Sequence, residues 1–192
     1  MIKHAYLFLV IALFFSCKGN GQTVDSVSIN EELNPGNNFV FSGDYNDLLT
    51  LEMASRITGF DASKAKKMHT MKGMMGETLR YYWENGREEV KGKSASNRKT
   101  VSYPRSDLVQ LKWVDGEADM ESFLDFIDLE AHPELVEISS VGQRAYWNSE
   151  KQHLEVYYNG VSFTLQVDIS NDGNLDKEKT IELAKLIITE QF

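Results

Sequence analysis

The chain has 192 residues, 42% of them hydrophobic and 26% charged, with one cysteine and a formal net charge of −9. A lone cysteine excludes an internal disulfide and a cysteine-built metal site, and the acidic balance disfavours nucleic acid, whose phosphates demand a basic surface.

Met1, Lys3 and His4 form a short polar start, and Ala5 to Phe15 follow as an apolar run. That run fits the 7–15 residues of a signal-peptide core and falls short of the ~20 that span a bilayer. Ser16 and Cys17 come next, and "LFFSC" resembles a bacterial lipobox, where the thiol is acylated and the chain is cut just before it; Phe14 and Phe15 depart from the commoner leucine and small residue. The expected organisation is a lipoprotein signal peptide over residues 1–16, a flexible tether over 17–37 carrying Pro35-Gly36, and one globular domain over 38–192. Cleavage removes Lys3 and no acid, so −9 becomes −10. Cys17 would carry palmitate-type chains and make the lipid bilayer the first partner, since stable anchoring takes more than one acyl chain. Lys18 stands where an inner-membrane retention signal has aspartate, and no acidic export cluster follows. The expected location is therefore the outer membrane, periplasm-facing. Asp25 to Val27 resemble a short O-glycosylation motif.

Three stretches carry helical spacing. In "TLEMASRITGF" Leu51, Ala54, Ile57 and Thr58 recur at three-to-four spacing, with Thr50 as cap and Gly59 as terminator. In "GEADMESFLDFI" Met120, Phe123, Leu124 and Ile127 share a face. In the closing "DKEKTIELAKLIITEQF" the face holds Ile181, Ala184 and Ile188 with Leu183 and Ile187 beside them, and Asp176 is placed to cap it. Between them the period falls to two. Leu154, Val156 and Tyr158, then Val161, Phe163, Leu165 and Val167, flank Asn159-Gly160, the pairing that suits a type I′ hairpin. "TLRYYWENG", "LVQLKWV" and "RAYWN" read as further strands, whereas "EEVKGKSASNRKT" reads as a solvated basic loop between Arg87 and Arg105. The pattern predicts an α+β fold, an antiparallel sheet packed with about three helices, with an echo of two half-repeats in Tyr82-Trp83 and Tyr146-Trp147.

The order "LLTLEMASRITG", "YYWENGR", "LVQLKWV", "VGQRAYW", "LEVYYNGVSFTLQV" and "TIELAKLIITEQF" resembles a broad group of small extracytoplasmic, Bacteroidetes-like lipoproteins, mostly of unknown function. The resemblance covers about residues 40–192 and implies an α/β/α sandwich like that of the photosystem extrinsic protein PsbP. Its motifs are structural and imply no catalytic residue. The disulfide cysteines of actinobacterial members are absent.

Candidate chemistry is sparse. Met68, His69, Met71, Met74 and Met75 form a methionine–imidazole cluster of the kind that binds Cu(I), although methionine also fills irregular packing gaps, the reading the sequence favours. Asp168, Ser170, Asp172 and Asp176 place oxygen donors at calcium-loop spacing with Gly173 at the sixth position; Lys179 occupies the twelfth, where a bidentate glutamate is needed, and a strand-to-helix turn explains the same letters. A hydrolase would draw on His69, His132 and a His153 expected to face solvent, yet no G-x-S-x-G, H-E-x-x-H or phosphate-loop motif is present. The reading is non-enzymatic: a membrane-anchored lipoprotein, without cofactor, that binds an envelope protein or small ligand through exposed aromatic side chains.

Overall fold

A computed structural model describes residues 39–71, 76–91 and 101–192, with backbone alone at 90, 91 and 101–103. The first helix, α1 (Leu51–Thr58), starts where the Thr50 hydroxyl accepts the Met53 amide at 3.2 Å and stops at Gly59, whose φ of 74° suits glycine. Its buried stripe is Met53, Ala54 and Ile57. Helix α2 (Met120–Ile127) opens with a capping box: Asp119 accepts the Ser122 amide at 2.7 Å and the Ser122 hydroxyl accepts the Asp119 amide at 3.2 Å.

Helix α3 (Gly173–Gln191) corrects two expectations. Asp172, not Asp176, is its N-cap, accepting the Asn174 amide at 2.9 Å. Its buried stripe is Thr180, Leu183, Ala184 and Ile187, leaving Ile181 and Ile188 on the flanks. The stripe centres on a polar residue because the Thr180 hydroxyl accepts the Val167 amide at 3.0 Å and donates to the Asp176 carbonyl at 2.8 Å. Apolar spacing alone could not register that anchor.

Seven strands form one antiparallel sheet: β1 (Lys66–Thr70), β2 (Thr78–Trp83), β5 (Asp107–Asp115), β9 (Val161–Asp168), β8 (His153–Tyr158), β7 (Arg144–Asn148) and β6 (Leu135–Glu137), in that spatial order. The intervening β3 (Glu88–Lys91) and β4 (Val101–Pro104) pair separately, so the ends of the segment read as a solvated loop form a two-stranded ribbon. Strands β8 and β9 join through Asn159 at φ 49° and Gly160 at φ 79°, the positive-φ pair that a type I′ turn requires.

Alternation along the strands separates two layers. On β7 Trp147 belongs to the main core beneath α1 and α3, while its neighbour Tyr146 packs with α2. On β8 Val156 and Tyr157 divide the same way, and the Phe123 ring lies 5.6 Å from that of Tyr157. Helices thus cover both faces. Away from α2 the second face is polar and bonded within itself: Arg80 donates to Gln110 at 2.6 Å and Gln110 to Gln166 at 2.7 Å. Trp83 and Trp147 both enter the main core, from β2 and β7. Four antiparallel steps separate these strands, so they run parallel, and no twofold axis relates the two echoing segments. Among the described residues no helix is long and apolar enough to cross a membrane.

Candidate functional site

Along β5 the inward positions Val109 and Leu111 predict that Trp113 points into the core. It does not. Lys112 pairs with Thr164 but Asp115 pairs with Ser162, so β5 spends three residues where β9 spends two. The extra residue is a β-bulge, and it drives Trp113 to φ 57° and turns its ring outward, half exposed at 50%. A bulky residue in the left-handed region costs about 1–3 kcal/mol, and such strain concentrates at functional sites. Two neighbours accommodate it. Gly76 lies under the ring, where a Cβ would stand 2.5 Å from it, and the buried Tyr45 hydroxyl accepts the Val114 amide at 3.1 Å.

The Trp113 ring borders a cleft of about 710 Å³ assembled from five chain segments, within the range of ligand sites. Phe41 and Tyr45 come from the N-terminal segment, their rings 6.2 Å apart, and Phe123 and Phe126 from α2. Phe126 is 64% exposed although its neighbours on α2 pack on the sheet. Phe41 lies against Gly116, where a Cβ would meet it at 2.8 Å. The rim carries Glu77, Asp115 and Glu117. Glu77 binds His69 Nε2 at 2.8 Å, and the His69 ring lies 5.7 Å from that of Tyr45. The Asp115 carboxylate accepts the Glu117 amide at 3.0 Å. The arrangement suits binding: aromatic walls, an acidic rim and a position held open by backbone strain.

Comparison with protein-family models, curated proteins and solved structures returns no match. The geometry therefore stands alone.

Cys17, Met74 and Met75 lie outside the described residues, as do Lys72, Lys93, Arg98, Lys99 and Asp25 to Val27. Met68 and Met71 are exposed. Met68 and His69 are adjacent on β1 and so point to opposite faces, which keeps them from converging on one ion. Among the described residues no group of His, Cys, Asp and Glu is arranged to hold a metal ion. The oxygens of the calcium-like loop have other partners. Asp168 pairs with Arg87 at 2.7 Å and with Arg105; Ser170 donates to the Asp172 carbonyl at 2.8 Å; Asp176 accepts the Ile169 and Ser170 amides at 3.1 and 3.0 Å. Burial pushes the Asp176 carboxyl above the usual range against those amides, the reverse of what a cation ligand needs. His132 lies in a loop, 3.3 Å from Glu134. His153 is buried rather than solvent-facing, its Nε2 2.9 Å from Glu155 on the same face of β8, a strand flanked by β7 and β9.

Tyr45 supplies a pH test of the bulge. Burial is the main cause that raises the hydroxyls of Tyr45, Tyr81 and Tyr146 above the ordinary tyrosine value. Near pH 10 the unfolded chain then loses protons before the native state does, so the stability they contribute is complete below about pH 10 and falls as pH rises further. Tyr45→Phe should cost about 1–3 kcal/mol at neutral pH by orphaning the Val114 amide, and should flatten the alkaline decline. Urea unfolding measured from pH 7 to pH 11 checks both; parallel curves for the two proteins would refute the assignment.

Proposed function

We propose that the chain is an envelope lipoprotein, anchored to the outer membrane through acylated Cys17 and facing the periplasm, whose domain binds a partner protein or small ligand in the Trp113 cleft without catalysis. One observation carries the binding reading. A bulge spends backbone strain to turn a tryptophan out of the core and over a cleft that also keeps Phe126 in solvent. Tryptophan is enriched in the small set of residues that dominate binding energies, and an exposed, rigidly supported one is a costly feature to retain for packing alone. The anchor rests on the apolar run and the lone thiol at "LFFSC", within the resemblance to Bacteroidetes-like lipoproteins with a PsbP-like domain.

The two halves are tested together in cells. Cys17→Ser should accumulate as a precursor that incorporates no labelled palmitate. A photo-crosslinking residue at position 126 should give a discrete adduct that Trp113→Ser abolishes, whereas the same residue at exposed position 178 on α3 should give none. Normal palmitate labelling of the serine variant would remove the anchor, and equal adducts from both positions would remove the cleft.

A further inference from the structure

Between Asp115 and Glu137 the chain carries nine carboxylates and neither lysine nor arginine. The remaining 20 acids balance the 20 basic residues, so this one segment holds the whole formal charge of −9. It forms one wall of the Trp113 cleft and continues along α2 to β6. Glu117, Glu121, Asp125 and Asp128 are exposed, and none enters an ion pair among the described residues. Folding accounts for only part of this arrangement. Acids suit the first turn of α2, and Asp128, its left-handed C-cap, accepts the Ala131 amide at 3.1 Å, but Asp125 stands in the last turn, where the helix dipole favours cations and where no basic residue is found.

We propose that the cleft receives a basic amphipathic segment of a partner protein, with an apolar side chain seated between Trp113 and Phe126 and its lysines or arginines set against the acidic wall. The inference rests on the binding reading above and names the chemistry of the partner. Charge complementarity selects it. An apolar groove alone would accept any hydrophobe, but one lined by Asp115 and Glu117 and continued by the exposed carboxylates of α2 repels anionic lipid headgroups and nucleic acid and attracts cations. The Trp113 face adds a cation–π surface. Length argues for a polypeptide over a small amine, because the eight residues of α2 alone extend the acidic wall over about 12 Å, beyond the reach of one ammonium group.

The test uses the whole acylated protein in zwitterionic nanodiscs, with empty discs as background. Three synthetic peptides serve as probes: one alternating lysine and leucine, one glutamate and leucine, one lysine and serine. Trp83 and Trp147 are buried, so among the three tryptophans Trp113 is the one a probe can reach, and its fluorescence reports occupancy. The lysine–leucine peptide should bind and protect Trp113 from acrylamide. Its affinity should fall about tenfold with Phe126→Ser, about tenfold when Glu117, Glu121 and Asp125 become Gln, Gln and Asn together, and further in high salt. All four positions are exposed, and unchanged melting temperatures verify that the fold is intact.

Binding of the glutamate–leucine peptide as tightly, with the same dependence on Phe126, would overturn the cationic partner and leave the cleft standing. Equal binding of the lysine–serine peptide, indifferent to Phe126, would reduce the wall to nonspecific charge and overturn the inference. Protection of Trp113 by no probe would overturn both readings, as would a Phe126-dependent dimer in light scattering, which would assign the cleft to a second copy of the chain.

Discussion

Arg87→Met is expected to destabilise the domain by about 3–5 kcal/mol, the loss that follows when one partner leaves a buried ion pair. The Arg87 guanidinium is 10% exposed and closes the junction between the β3–β4 ribbon and the main sheet. Its Nε lies 2.6 Å from an Asp107 oxygen, and its Nη2 reaches an Asp168 oxygen at 2.7 Å and the Asp168 carbonyl at 3.0 Å. A further N–H donates to the Ser170 carbonyl, so β5, β9 and the approach to α3 are tied to one side chain. Asp107 and Asp168 are buried, and without the arginine Asp107 retains the Asn85 amide at 2.8 Å, while Asp168 keeps Arg105. The cost is therefore that of a stranded carboxylate rather than of a missing attraction. For a domain of this size each kcal/mol moves the melting temperature by about 2–4 °C, so a fall of roughly 6–20 °C is expected. Adding Asp107→Asn should recover part of it. Arg56→Met, which breaks the exposed pair with Glu190, is the control and should cost at most about 1 kcal/mol. Equal shifts for the two arginine variants would show that the junction does not depend on Arg87.

The contrast between those arginines illustrates what was legible in the sequence. Helix termini at Thr50 and Gly59 and the Asn159-Gly160 turn could be read because each is a local matter, settled by a side chain and the amides within three residues of it. The alternating strands from Thr78 and His153 could be read because period two is also local. What failed depends on distant partners. Arg87 and Arg105 sit in a polar, glycine- and serine-containing stretch, and only the return of β9 beside β5 brings Asp168 to them. Edge strand β1 carries one apolar residue, Met68, since an edge is half solvated, and edge strand β6 is three residues long, too short to show a period, so neither gave a signal. The candidate site was hidden for a related reason. A bulge reverses the parity of every residue after it, and nothing in "LVQLKWVDG" marks Trp113 as the residue that escapes the core.

The same parity logic governs the closing helix, where two adjacent isoleucines should behave differently. Ile187 is fully buried within the core stripe of α3, beside Leu183 and Ala184, whereas Ile188 lies on the flank, one residue and about 100° around the helix. Ile187→Ala removes buried methyl and methylene groups from a region where the sheet and α1 hold their places, so the void cannot close, and a loss of about 2–5 kcal/mol is expected. Ile188→Ala removes the same atoms from a partly buried site at the edge of the core; the transfer cost scales with the area hidden and the void opens toward solvent, so the loss should be smaller. Against a total stability of about 5–15 kcal/mol the first change should lower the melting temperature of the whole domain in one transition. Apolar spacing alone favours the opposite order, because it centres the face on Ile181, Ala184 and Ile188. The two readings differ by one residue of helix rotation, and the Thr180 hydroxyl on the Val167 amide fixes which holds. Thermal unfolding of the two variants side by side decides it: a larger loss at Ile188 would mean that α3 presents the neighbouring face to the sheet and that the Thr180 anchor does not set its rotation.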